Sequence, residues 1–397
     1  MNPIPRLKAY AGPALLSYGF RPFFLAGAIY SGLGVLIWLP LFLAKLTIPT
    51  AFSPLDWHIH EMLYGYLPAV ITGFLLTAIP NWTGRLPLQG GALAALFATW
   101  IAGRIAVSIS ALIGPLAAAA IDVLFLVLVA AATGREVIAG HNWRNAPPIL
   151  IVLIFLAGNA IFHLEDHETG TAEFATRLGI AAAIVLISFV GGRLIPSFTH
   201  NWLVRENPGR LPGPFGRFDI AVLAVSVLAL LLWICTPLWS GTAILMLIAG
   251  TAQAARLGRW AGDRTLRDRL ILVLHVGYAF VPIGFLVLGG AILFPQSLPV
   301  SAGIHAWAAG AVGTMTLAIM TRASLGHTGQ KLAAGPLTQA AYAAVVIAAL
   351  LRVAAAFPTG GAVMLLQSAG AAWIAAFWMF AVGYGPSLWR PRETMRQ

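Results

Sequence analysis

WHIHEMLYGYLPAVITGF, residues 57–74, sets two histidines and a glutamate, His58, His60 and Glu61, at the head of a run apolar enough to cross a bilayer. Similar runs recur from one end of the chain to the other. Of the 397 residues, 59% are hydrophobic and only 9% charged, against about 25% charged in ordinary soluble domains. A helix needs about 20 apolar residues to cross hydrocarbon, and no stretch between the runs is long enough for a soluble domain. The sequence is therefore expected to form a single membrane domain over residues 1–397. The first run, from about Pro22 to Leu43, is too long for a signal-peptide core and has no small-residue cleavage site after it. It reads as a retained helix 1.

A single cysteine, Cys235, excludes disulfides within the chain, a CxxCH haem attachment and a thiolate metal cluster. Any haem would be non-covalent and held by imidazole. The net charge of +11 does not point to nucleic acid, because the basic residues sit singly in loops, without a basic domain or an aromatic platform. Glycine clusters such as GGALAALFATW read as helix-packing small residues, with no phosphate-binding loop.

Apolar runs fall at about 22–43, 59–80, 91–111, 114–133, 147–164, 177–196, 218–236, 239–257, 270–293, 303–322, 337–356 and 362–384, separated by Pro, Gly or charged turns. This predicts an all-α polytopic protein of twelve transmembrane helices, with helices 3 and 4 divided at Gly114–Pro115. Basic residues in short loops set the orientation. With the N-terminus inside, inner segments collect eighteen lysines and arginines, among them Arg6, Lys8, Arg85, Arg144, Arg210, Arg264, Arg392 and Arg396. Outer segments collect Lys45, Arg177 and Arg352. Both termini are therefore expected on the cytoplasmic side. The acids Asp56, Glu61, Glu165, Asp166, Glu168 and Glu173 all fall outside.

Internal repeats bear on the architecture. Residues 59–85 laid without gaps on 304–330 match Ile59 with Ile304, His60 with His305, Gly65 with Gly310, Thr83 with Thr328 and Gly84 with Gly329. Helix 6 gives a weaker third copy, with Arg193 on Arg322 and Thr199 on both Thr83 and Thr328. Copies at helices 2, 6 and 10 imply three units of four helices, about 15–135, 140–260 and 265–390. That is the arrangement of haem-copper oxidase subunits rather than of transporters built as two halves of six.

The nine histidines sort by side. His58, His60, His163, His167 and His305 fall at the outer leaflet, and His141, His200, His275 and His327 at the inner one. Ionisable groups at membrane depth are functional candidates unless paired. His60 and His305 stand at equivalent positions of two related helices, as two axial ligands of a b-type haem would; packing or interfacial hydrogen bonding is the plain alternative. His58 and His60 lie about 200° apart on an ideal helix, so both face one site only if His58 precedes the first turn. Otherwise His58 is a cap or a supporting group. Glu61 reads as a proton carrier or as an orienting partner of a ligand. In HLEDHE, residues 163–168, His163 and His167 at i and i+4 would hold copper or zinc loosely, or belong to a solvated acidic face. His275 and His327 come together at the inner ends of helices 9 and 10, where a second haem or a copper ion would fit. Arg193 and Arg322 at matching depth would hold a haem propionate or snorkel to the interface. Arg104 and Asp122, inside helices 3 and 4, would pair across the bundle.

FRPFFLAG (20–27), WHIHEMLYGY (57–66), GFLLTAIPNWTGR (73–85), GGRLIPSFTHNWL (191–203), HVGYAFVPIGF (275–285) and IMTRASLGHTG (319–329) together resemble the NnrS family. The resemblance spans helix 1 to helix 10. It implies a twelve-helix bacterial inner-membrane protein that contains haem and copper and protects against nitrosative stress, in denitrifying and pathogenic bacteria. Its motif positions here are His58, His60, Glu61, Arg193, His275, Arg322 and His327. The family pattern has arginine where this chain has His200 and Gln330, which puts His200 in doubt as a ligand.

Taken together, the expectation is one or two haem b groups, with copper, on His58, His60, His275, His305 and His327. Nitric oxide would be bound there and detoxified, by a nitric oxide reductase-like reaction if the chain is an enzyme, with Glu61 and His58 as catalytic groups. An electron donor would then be a partner, and nucleic acid would not. Two other readings remain: a permease for a metal or small solute that uses the histidines as its path, and a non-catalytic nitric oxide or redox sensor.

Overall fold

The computed structural model describes residues 10–83, 86–139 and 147–391. His141 and the basic residues Arg6, Lys8, Arg85, Arg144, Arg392 and Arg396 lie outside them. Among the described residues the regular structure is entirely helical.

The long helices follow the apolar runs closely. They are α1 (Phe20–Phe42), α2 (54–83), α3 (Gly90–Ser108), α4 (Pro115–Ala139), α5 (Pro147–Thr169), α6 (Glu173–Glu206), α7 (Arg217–Cys235), α8 (Ser240–Gly258), α9 (Arg269–Leu293), α10 (Val300–Thr328), α11 (Pro336–Ala354) and α12 (Ala362–Trp389). By length and composition eleven of these can cross a membrane. The remaining one, α8, carries Thr242, Thr251, Gln253 and Arg256 within 19 residues. The expected count of twelve spans thus stands at eleven on this measure.

Local chemistry explains the ends. Pro54 opens α2 and Ser53 caps it, its hydroxyl accepting from the Asp56 amide at 3.1 Å. Asp268 caps α9 by accepting from the amides of Leu270 and Ile271. Gly114, at φ +93°, takes a conformation that side chains disfavour. Pro115 then begins α4, so helices 3 and 4 divide where the sequence places the break.

Three helices are interrupted by π-helical turns: Glu61–Tyr66 in α2, Ile187–Gly191 in α6 and Ala306–Gly313 in α10. Such turns break the i→i−4 ladder and recur at functional sites. The ungapped alignment puts Glu61 on Ala306, so two of them begin in the same register. In α6 the alignment puts Ile187 opposite Ile71 and Thr316, ten positions further along.

The chain divides into two compact units. The first runs to Gly179 and adds Ala323–Lys331 and the chain from Phe380. In it α1 packs on α2, α3 on α4 and α4 on α5. The second comprises Ile180–Arg322 and Leu332–Met379. There α8 packs against both α7 and α9, and the π turn of α10 packs against α9 and α11.

Candidate functional site

The first unit buries a closed set of polar groups contributed by five helices. His60 is the last residue before the π turn of α2 and Glu61 its first, and neither is exposed to any extent. Arg104 of α3 donates from Nη1 to Glu61 Oε1 at 2.6 Å and from Nη2 to Asp122 of α4. Tyr30 of α1 donates to the other Glu61 oxygen. Asn159 and His163, one turn apart on α5, complete it. Asn159 Nδ2 donates to Asp122 Oδ2 at 2.8 Å, and His163 Nε2 lies 3.1 Å from the same oxygen. Two glycines make room. A Cβ at Gly65 would collide with the Arg104 guanidinium, and one at Gly103 would stand 2.8 Å from Asp122 Oδ1.

The charges do not balance. Two carboxylates, Glu61 and Asp122, face one guanidinium, Arg104, so with neutral imidazoles the cluster is one positive charge short. The hydrogen bonds point to where that charge belongs. With His60 Nδ1–H donating to Glu61 Oε1 at 3.0 Å, its Nε2 presents a lone pair to Asn159 Oδ1 at 2.9 Å and to Asp122 Oδ2 at 3.2 Å. Carboxylate and amide oxygens only accept. Turning the Asn159 amide over moves the mismatch to Asp122 without removing it. A proton on His60, a proton on Glu61 shared with His60 Nδ1, or a metal ion among these atoms resolves both problems.

A metal ion fits the donor set. One ligand atom each from His60, Asp122 and His163 lie within 4.8 Å of one another, and all three residues are buried. Donors on a four-coordinate ion with bonds of about 2.0–2.1 Å stand about 3.3 Å apart, close to the 3.1 and 3.2 Å found here. Imidazole with carboxylate suits copper or zinc. Glu61 behind His60 Nδ1 forms the carboxylate–histidine pairing that orients metal-bound imidazoles. Phe52 and Phe162 close over the imidazoles, with ring centres 5.1 to 5.3 Å from His60 or His163, which keeps water away.

The other sequence candidates lie elsewhere. α2 begins at Pro54, so His58 lies within the helix and turns away from His60, stacking on Trp38 of α1 at 4.0 Å. Glu61 is sealed in the bundle rather than placed at its mouth. HLEDHE separates by role: His163 enters the buried cluster, His167 is exposed, and Glu165 caps α6 by accepting from the amides of Phe174 and Ala175. His305 lies in the second unit, its Nδ1 2.7 Å from the Ser301 carbonyl. His327 packs its ring on Tyr18 and Phe20. Arg193 and Arg322 stack on Phe189 and Phe198 at 4.2 and 3.9 Å. His275 Nε2 pairs with the Thr199 hydroxyl at 2.9 Å, while its Nδ1 is buried without a partner and faces Gly262, where a Cβ would stand 2.5 Å away.

Arg104 and Asp122 do pair, as expected. Asn159 and Tyr30 were not anticipated. Asn159 had a visible signal, a lone amide in an apolar run four residues before His163; Tyr30 had none.

The second unit has a polar cluster of its own. Arg256, fully buried, donates to Asp219 from Nε at 2.9 Å, and from Nη1 to the Ser188 carbonyl and the Tyr278 hydroxyl. Arg259 Nη1 donates to the other Asp219 oxygen at 3.1 Å.

A comparison with curated proteins gave no match. The family model described as NnrS protein matches residues 14–392, nearly the whole chain and all of the helices just described, and the chain therefore belongs to the NnrS family.

Proposed function

We propose that this protein is a haem- and copper-containing protein of the bacterial inner membrane that binds nitric oxide and removes it by reduction to nitrous oxide. It would have twelve spans in three four-helix units, with both termini cytoplasmic. The observation that carries this reading is the sealed His60–Asp122–His163 set, one positive charge short and built from copper-compatible donors. Copper held there would bind nitric oxide and pass electrons singly. Among the described residues, His275, whose buried Nδ1 has no hydrogen-bond partner beside Gly262, is the donor this reading assigns to a haem.

Reduction of two nitric oxide molecules to nitrous oxide and water consumes two electrons, from a donor partner, and two protons. Nitric oxide is small and apolar and reaches the site through the bilayer and the packed side chains. Protons need a hydrogen-bonded route. Half-buried Tyr30 donates to one Glu61 oxygen, and His60 Nδ1 lies 3.0 Å from the other, so Glu61 is placed to take up a proton on the Tyr30 side and pass it to the cluster. Arg104 fixes its carboxylate through two-sided pairing with Asp122.

The test is metal analysis and a reduced-minus-oxidised spectrum with pyridine haemochrome on detergent-purified protein, followed by nitric oxide consumption with a reductant. His163→Ala is expected to lose copper and keep haem, and His275→Ala the reverse. Glu61→Gln, assayed at saturating copper, should keep both and consume nitric oxide about a hundredfold more slowly. Wild-type protein free of haem and copper after growth with both supplied would end this reading and favour the permease.

A further inference from the structure

A cavity of about 330 Å³ opens in the second unit beside the Arg256–Asp219 pair. One wall is a single face of α6, from Gly192 and Arg193 to His200; the other is the connection at residues 212–215, with Trp260. Asp219 lines it, but its charge is already taken up, since its oxygens accept from Arg256, Arg259 and the Gly216 amide. The balance is the reverse of that in the first unit. Arg256 and Arg259 share one carboxylate, which leaves one positive charge over, and Arg193 on the wall adds another.

A second observation points to an acceptor. Arg193, Ser197 and His200 line the cavity from one face of α6 and each presents a donor, whereas Arg256, fully buried behind Gly192, adds its charge without lining it. An anion with several acceptor oxygens satisfies both those donors and the excess positive charge. The cavity lies beside the connection from α6 to α7, which the expected topology puts on the cytoplasmic side, where headgroups meet a membrane protein. Leu211, Phe215 and Phe218 are exposed beside it, as acyl chains require. Basic pockets at the ends of transmembrane helices commonly take anionic headgroups.

We propose that this cavity binds a phosphate group, that of an anionic phospholipid or of a free phosphate ion. All the groups involved belong to the second unit, apart from the copper cluster; His275, the proposed haem donor, is in the same unit and near Trp260 of the wall, so haem content is measured on each variant.

The experiment follows the thermal-unfolding midpoint of delipidated full-length protein in detergent as phosphatidylglycerol, phosphatidylcholine or inorganic phosphate is added. Arg193→Gln removes an exposed charge from the wall. Arg177→Gln, at a half-buried arginine paired with Glu173 in the first unit, is the control. The expected result is a saturable rise with phosphatidylglycerol and not with phosphatidylcholine, an apparent affinity about tenfold weaker in Arg193→Gln, and no change in Arg177→Gln. A rise with inorganic phosphate alone, equally sensitive to Arg193→Gln, assigns the same site to a soluble anion. The proposal is overturned if neither ligand shifts the midpoint, if Arg193→Gln responds as wild type does, or if that variant loses haem while its lipid response is unchanged.

Discussion

The two units each bury an arginine of one helix against an aspartate of its neighbour, yet they leave opposite charges over. In the first, Arg104 is shared by Glu61 and Asp122; in the second, Asp219 is shared by Arg256 and Arg259. The surroundings differ as well. The first cluster is sealed, with every side chain of its ion pairs no more than 6% exposed, whereas Arg259 is 36% exposed. In low dielectric an unbalanced charge is far more costly than in water, so the sealed cluster demands its counter-ion and the open one merely attracts it. A buried ionic group in a membrane helix thus carries two separate messages, that it is paired and what sign is missing.

The sharpest way to break this contrast is to remove each arginine in turn. Arg104→Met leaves Glu61 and Asp122 buried together without the guanidinium they share and is expected to cost about 3–5 kcal/mol, enough to lower sharply the yield of monodisperse protein. Arg256→Met leaves Asp219 with Arg259 and the Gly216 amide and should cost less, about 1–3 kcal/mol. Unfolding midpoints of the two variants in the same detergent decide it. Equal losses would mean that sealing makes no difference.

Much of the frame was legible in the sequence because hydropathy acts residue by residue. Runs of about 20 apolar residues place every long helix, and Gly114–Pro115 marks its own break through a positive φ and an N-terminal proline. The pairing of Arg104 with Asp122 was legible for a similar reason, since two opposite charges in adjacent apolar helices have no better partner. The rest of the site was not. The direction of His60 depends on where α2 begins and on a π turn that starts one residue later, and helix periodicity read from sequence assumes neither. The expected pairing of His60 with His305 as axial ligands rested on matched position. Matched position does not say what each ring meets: His60 meets Glu61 and Asn159, and His305 the backbone of its own helix. His163 was obscured by its acidic neighbours, which suggested a solvated face, although only His163 of HLEDHE turns inward.

A finer test uses the glycines that the alignment pairs, Gly65 and Gly310. The added methyl would strike the Arg104 guanidinium in the first case and the Phe280 ring in the second. Gly65→Ala and Gly310→Ala should each destabilise by about 1–3 kcal/mol through overpacking, but only Gly65→Ala should also lower copper content, because it displaces the cation that positions Glu61 and Asp122. Copper loss from both variants would tie the site to α10 as well as to α2.

The smallest expected effect concerns His58, and it separates the two histidines of WHIHEM. The ring of His58 stacks on Trp38 at 4.0 Å and faces away from the cluster, so His58→Ala removes an aromatic contact and little else, about 0.5–1.5 kcal/mol. Copper and haem content should stay at wild-type levels while His60→Ala loses copper. The comparison is informative because the two residues are neighbours on one helix, with the same depth and the same access to metal during assembly. If His58→Ala lost copper as fully as His60→Ala, the π turn would have to rewind on metal binding to bring both rings to one ion. Stability alone would not reveal this, since the Trp38 contact is lost in either case, so the metal content of the folded fraction is the quantity to measure.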